Sequence, residues 1–137
     1  MLKASGIAHV DANIVVRFLL GEPPDQAEAA RALFDGAGRQ GPALVIHPTV
    51  LAEVVYVLTS PRIAALSRTA VATALRGLFA MDGVATQDLD VVLEALDRFE
   101  NSRLDWVDCL MLGYSPDIPV HSFDAALLAA SRRRLDG

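Results

Sequence analysis

Two kinds of apolar run alternate along the chain. The first is short and unbroken. Ile7-Ala8-His9-Val10, Ala43 to Ile46, Val84-Ala85 and Val120-His121 each suit a strand buried on both faces. The second repeats with helical period. Ile14, Val15, Phe18 and Leu19 set a helix over Ala12 to Leu20, closed by Gly21. Pro23-Pro24-Asp25 opens another, with Ala27, Ala30, Ala32, Leu33 and Phe34 on its apolar side. Pro48 starts a helix to about Thr59, stopped by Ser60-Pro61, and Ser67 caps one that reaches about Ala80. Gln87 to Asn101 is charged and amphipathic, Asp105 to Gly113 is more apolar, and Asp124 precedes a last helix through Leu128. Strands alternating with helices predict an α/β fold: a three-layer α/β/α sandwich on a mainly parallel sheet of about four or five short strands.

Length makes this a single domain, residues 1–137, with enough chain to bury about two thirds of its unfolded surface. Hydrophobic residues make up 53% of it, which excludes a disordered linker. Ala43 to Leu58 is interrupted by His47, Pro48, Thr49 and Glu53, short of the roughly 18 apolar residues of a membrane span. Cys109 is the only cysteine, so neither an internal disulfide nor a cysteine-based zinc cage forms. With no signal-like run in Met1 to Val10, a reducing, cytoplasmic setting is expected.

The net charge of -5, from 12 basic and 17 acidic residues, argues at first against a polyanionic partner. Lys3 is the only lysine, which removes the amine that a P-loop or a pyridoxal Schiff base needs. The placement of the acids changes the picture. Asp11 and Asp124 each follow a strand, at the edge where open parallel sheets bind ligands. Glu53 and Asp108 each interrupt a helix that is otherwise apolar nearly all round. Asp11 and Asp124 could equally be helix N-caps. A lone carboxylate such as Glu53 among apolar residues costs several kcal/mol unless paired or metal-bound, and Arg17, Arg62 and Arg103 are candidate partners. Convergent carboxylates without cysteine suit a hard cation, Mg2+ or Mn2+.

Asp11-Ala12-Asn13, Leu51-Ala52-Glu53-Val54, Asp108-Cys109-Leu110 and Ser122-Phe123-Asp124 stand in the order seen in PIN domains. The chain resembles that family from about Ile7 to Leu128, and within it the VapC toxins of bacterial toxin–antitoxin pairs. The resemblance implies an endoribonuclease that uses Mg2+ or Mn2+, with Asp11, Glu53, Asp108 and Asp124 as catalytic and metal-holding acids. Asn13 and Ser122 fall on supporting polar positions, and Asp105, one turn before Asp108, is auxiliary. It also implies a homodimer and a VapB-like antitoxin that occupies the active-site groove. Two departures stand out: a shortened stretch from Asp108 to Asp124, in which Tyr114-Ser115-Pro116-Asp117 replaces a continuing helix, and an end soon after the last helix.

Arg17, Arg103 and the run Arg132-Arg133-Arg134 are candidate contacts for RNA phosphates; the run also suits a solvated helix end. His9, His47 and His121 lack paired metal-ligand spacing and are expected to pack. Two alternatives remain: a non-catalytic binding module of PIN fold, and a phosphatase of haloacid-dehalogenase type. The second expects an acid at position 13 and a later lysine, where this chain has Asn13 and none.

Overall fold

The computed structural model describes residues 6–114 and 118–136, with side chains as far as Arg133. The chain divides into two units, Met1–Gln87 and Asp88–Gly137.

In the first unit, strands β1 (Ile7–His9), β2 (Ala43–Val45) and β3 (Val84–Ala85) form a parallel sheet in chain order. Ile7 pairs with Ala43 and His9 with Val45, and Leu44 with Val84. The connections carry helices α1 (Ala12–Leu20) and α2 (Pro24–Asp35), then α3 (Pro48–Thr59) and α4 (Arg68–Phe79). Helix α1 packs on α2 and α3, and α4 on α3 and β3. Val15, Leu44, Ile46, Leu51, Val54, Leu58, Val71 and Leu75 are fully buried, so the apolar stripes read from the sequence do face the core. Phe18 and Phe34 stack at 4.3 Å between ring centres, which fastens α1 to α2.

Gly83 sets the entry to β3. Its φ of +75° is left-handed, and a Cβ there would collide with the backbone of Ala37. The Gly83 carbonyl accepts from Leu44 N–H at 2.7 Å, so this turn is tied into the sheet. Gly83→Ala is expected to cost at least about 2 kcal/mol, from φ strain plus the collision, read as a lower denaturant midpoint at unchanged slope.

The second unit holds α5 (Leu89–Asn101), α6 (Trp106–Tyr114) and α7 (Ala125–Asp136). Helix α6 packs on both others. Val92, Ala95, Leu96 and Phe99 from α5 meet the demand for burial, as do Trp106, Cys109 and Leu112 from α6. Phe99 and Trp106 pack edge to face with centroids 6.0 Å apart. Gly113 lets α6 approach closely, since a Cβ there would lie 2.9 Å from Val91 Cγ1. Arg98 Nη1 donates to the Cys109 carbonyl at 3.0 Å and clamps the two helices in register.

The architecture is α/β, with a parallel sheet flanked by helices, and among the described residues it has three strands rather than four or five. Val120-His121 is irregular. Pro119 before it lacks an N–H for a ladder, and Ser122 turns the chain at once by accepting from the Asp124 N–H at 2.9 Å. The last helix runs past Leu128 to Asp136, because arginine continues a helix well. Ser115, Pro116 and Asp117, in the shortened stretch, lie outside the described residues, as does Lys3. Among the described residues, no helix is long and apolar enough to cross a membrane.

Candidate functional site

Asp11 stands just beyond the carboxyl end of β1. Its Oδ1 accepts from the Ile14 N–H at 3.0 Å, making it the N-cap of α1. Asp124 does the same for α7, with Oδ1 accepting from Ala126 and Leu127 at 2.9 and 3.1 Å. Both acids are therefore helix caps, and both are exposed, so the cap and a metal-binding role are open to one side chain at once. Asn13 is exposed in the first turn of α1.

Glu53 departs from the sequence expectation. It is exposed, on a face of α3 that also presents Thr49 and Tyr56, the latter 73% exposed. The apolar run around it does not wrap the whole helix, so no burial penalty arises and no arginine is needed. Among the described residues of its own unit, Glu53 forms no ion pair with Arg17 or Arg62. Arg17 Nε instead donates to Gln26 Oε1 at 2.9 Å, bracing α1 against α2.

The second unit gathers three acids. Asp108, in the first turn of α6, has its carboxyl pushed above the ordinary 3.8 by partial burial and by the charges of Asp105 and Asp124. Asp105 and Asp124 line one hollow of about 250 Å3 with Ser102, Arg103 and Arg133. Arg103 and Arg133 are exposed, as is Arg132, while the side chain of Arg134 lies outside the described residues. Elsewhere in the unit, burial and a hydrogen bond to Asp88 raise the Tyr114 hydroxyl above its ordinary range.

The donor set is thus all oxygen, with like charges close enough to disfavour the ionisation of Asp108. That chemistry fits a hard divalent cation, which would relieve the repulsion. Among the described residues, no three His, Cys, Asp or Glu side chains already stand together as a cage.

One feature escapes a reading of the sequence. His9, which ends β1, and His47, just after β2, meet: His47 Nε2 and His9 Nδ1 are 3.0 Å apart. The signal lay in the strands, because parallel in-register pairing sets consecutive strand ends side by side.

The first unit is a parallel α/β sheet with an acid after its first strand, and the second sets Asp108 near the charges of Asp105 and Asp124. Residues 8–115 match the PIN domain family, and the chain belongs to that family. Asp11, Glu53 and Asp108 fall inside the matched region, and Asp124 falls beyond it. No curated protein and no solved structure matches the chain. Membership in a family of nucleases takes the place of the phosphatase alternative.

Proposed function

We propose that this PIN domain, residues 1–137 acting as one domain, is a metal-dependent endoribonuclease and the VapC-like toxin of a toxin–antitoxin pair. The observation that carries the reading is the crowding of Asp108, whose carboxyl is pushed above the ordinary range by partial burial and by the charges of Asp105 and Asp124. Asp11, Glu53, Asp108 and Asp124 would hold Mg2+ or Mn2+, with Asp105 auxiliary. When bound, the ion lowers the pKa of a water and neutralises charge on the scissile phosphate.

The chain's own residues supply position. Ser122 fixes the backbone at Asp124, and the two caps anchor Asp11 and Asp124 to rigid helices. Arg103 and Arg133, in the hollow with Asp105 and Asp124, hold the RNA backbone, with Arg17, Arg132 and Arg134 as further contacts. Asn13 orients groups beside Asp11. The protein works in the cytoplasm as a homodimer, silenced by a VapB-like antitoxin whose segment covers the acids.

Purified protein is expected to cut single-stranded RNA with Mg2+ or Mn2+ and to stop on addition of EDTA. Expression is expected to arrest growth, with rescue by Asp11→Asn or by the adjoining open reading frame. RNA left intact on several substrates, at the level of Asp11→Asn, would leave a non-catalytic binding module in its place.

A further inference from the structure

We propose that His9 and His47 form a second cation site, for a tetragonal transition-metal ion of the Cu2+ or Ni2+ type, held by nitrogen rather than by carboxylate. Their facing nitrogens lie 3.0 Å apart, and the rings stand 4.8 Å between centres at 29°. Two imidazole lone pairs do not face each other at that distance without something between them. In the apo chain it is a proton, one ring donating N–H to the other; a metal ion can take its place.

The spacing selects the kind of ion. Two nitrogens each about 2.0–2.1 Å from one metal lie about 2.9 Å apart when the angle between them is 90°. A tetrahedral angle separates them by about 3.3–3.4 Å. The pair therefore matches adjacent positions of a square or octahedral ion better than tetrahedral zinc. Imidazole nitrogen with water oxygen in such geometry is the donor set of Cu2+ and Ni2+.

The fold holds both rings in place. His9 is fixed by the ladder with Val45, continued by Val10 N–H donating to the Val45 carbonyl at 3.2 Å. His47 is fixed by its carbonyl, which accepts from Leu51 N–H at 2.9 Å in the first turn of α3. Its ring makes no cap bond to that helix, so its nitrogens are free to turn to His9. The pair lines a hollow of about 550 Å3 with Asp11, Ile14, Leu33 and Val50. The Asp11 carboxylate gives that hollow a field that favours cations. Among the described residues, no third His, Cys, Asp or Glu completes the set, so water fills the other positions and the ion is easily chelated.

The test is Cu2+ titration of the full-length, metal-free protein, followed by calorimetry and by electron paramagnetic resonance. One equivalent is expected to bind, with hyperfine splitting from two nitrogens, unaffected by excess Mg2+ and retained in Asp11→Asn. His9→Gln and His47→Gln are each expected to weaken binding by at least about tenfold and leave one nitrogen in the spectrum. His121→Gln serves as the control and leaves both readings unchanged. Either histidine variant that melts like the parent decides the matter alone. Binding unaltered by that variant, or a spectrum with oxygen ligands only, overturns the assignment. No RNA enters the measurement, so its outcome is independent of nuclease activity.

Discussion

Asp11→Asn is expected to lower Mg2+-dependent RNA cleavage by at least about a hundredfold, since losing a direct ligand exceeds the effect of losing its supports. The same variant is expected to melt with the parent. Asparagine caps a helix about as well as aspartate, so the bond from Ile14 survives and only the charge goes. Asp11→Ala removes both. It is expected to cost about 1 kcal/mol in addition to the activity, or about 3–5 °C in melting temperature for a chain of this length. Fluorogenic RNA cleavage and calorimetric melting, run on all three proteins, separate the two roles. Full cleavage by Asp11→Asn would reduce Asp11 to a cap and nothing more.

Asp108→Asn is expected to have opposite effects on activity and stability. Cleavage falls by at least about a hundredfold, while the metal-free protein becomes more stable at neutral pH. The sign follows from linkage. Asp108 binds its proton more tightly folded than unfolded, so its ionised form penalises the fold at pH 7. That penalty fades as pH falls through the raised folded pKa and is gone below the unfolded value of 3.8. The advantage of Asp108→Asn over the parent therefore shrinks steadily on acidification. Saturating Mg2+ acts on the same repulsion from the other side and is expected to raise the melting temperature of the parent alone. Urea titrations at a series of pH values, in EDTA and in Mg2+, read all of these. An advantage that grows on acidification would mean that Asp108 is ion-paired rather than crowded by like charges.

The elements were legible because their signals are local. Pro24 and Pro48 do open helices, Ser67 does cap α4 by accepting from Ala70 N–H, and Gly21 does close α1 in the left-handed region. The caps at Asp11 and Asp124 were legible too, as one of two readings of the same residues. Glu53 was misjudged because an unbroken apolar sequence says nothing about which face a neighbour covers; Tyr56 is apolar and yet exposed. Val120-His121 looked like a strand by composition, but a strand exists only where another offers its ladder. The meeting of His9 with His47 depends on register between strands about thirty-five residues apart, which no local window contains. Of the candidate site, the residue types were readable, and so was the acid after the first strand. The crowding of Asp108 by Asp124 was not, because it depends on how the chain returns after α6.

Cys109 has no exposed surface, and its Sγ lies 3.8 Å from the Leu104 carbonyl within the packing of α5 and α6. Being the chain's only thiol, it acts as a built-in clock. A thiol reagent reaches it only when that packing opens, so the labelling rate measures how often α5 and α6 part. Asp108, which the charges of Asp105 and Asp124 crowd, is the neighbour of that clock in the sequence. Anything that relieves that crowding, whether a proton or a cation, is then visible as a slower tick, without RNA or an engineered probe.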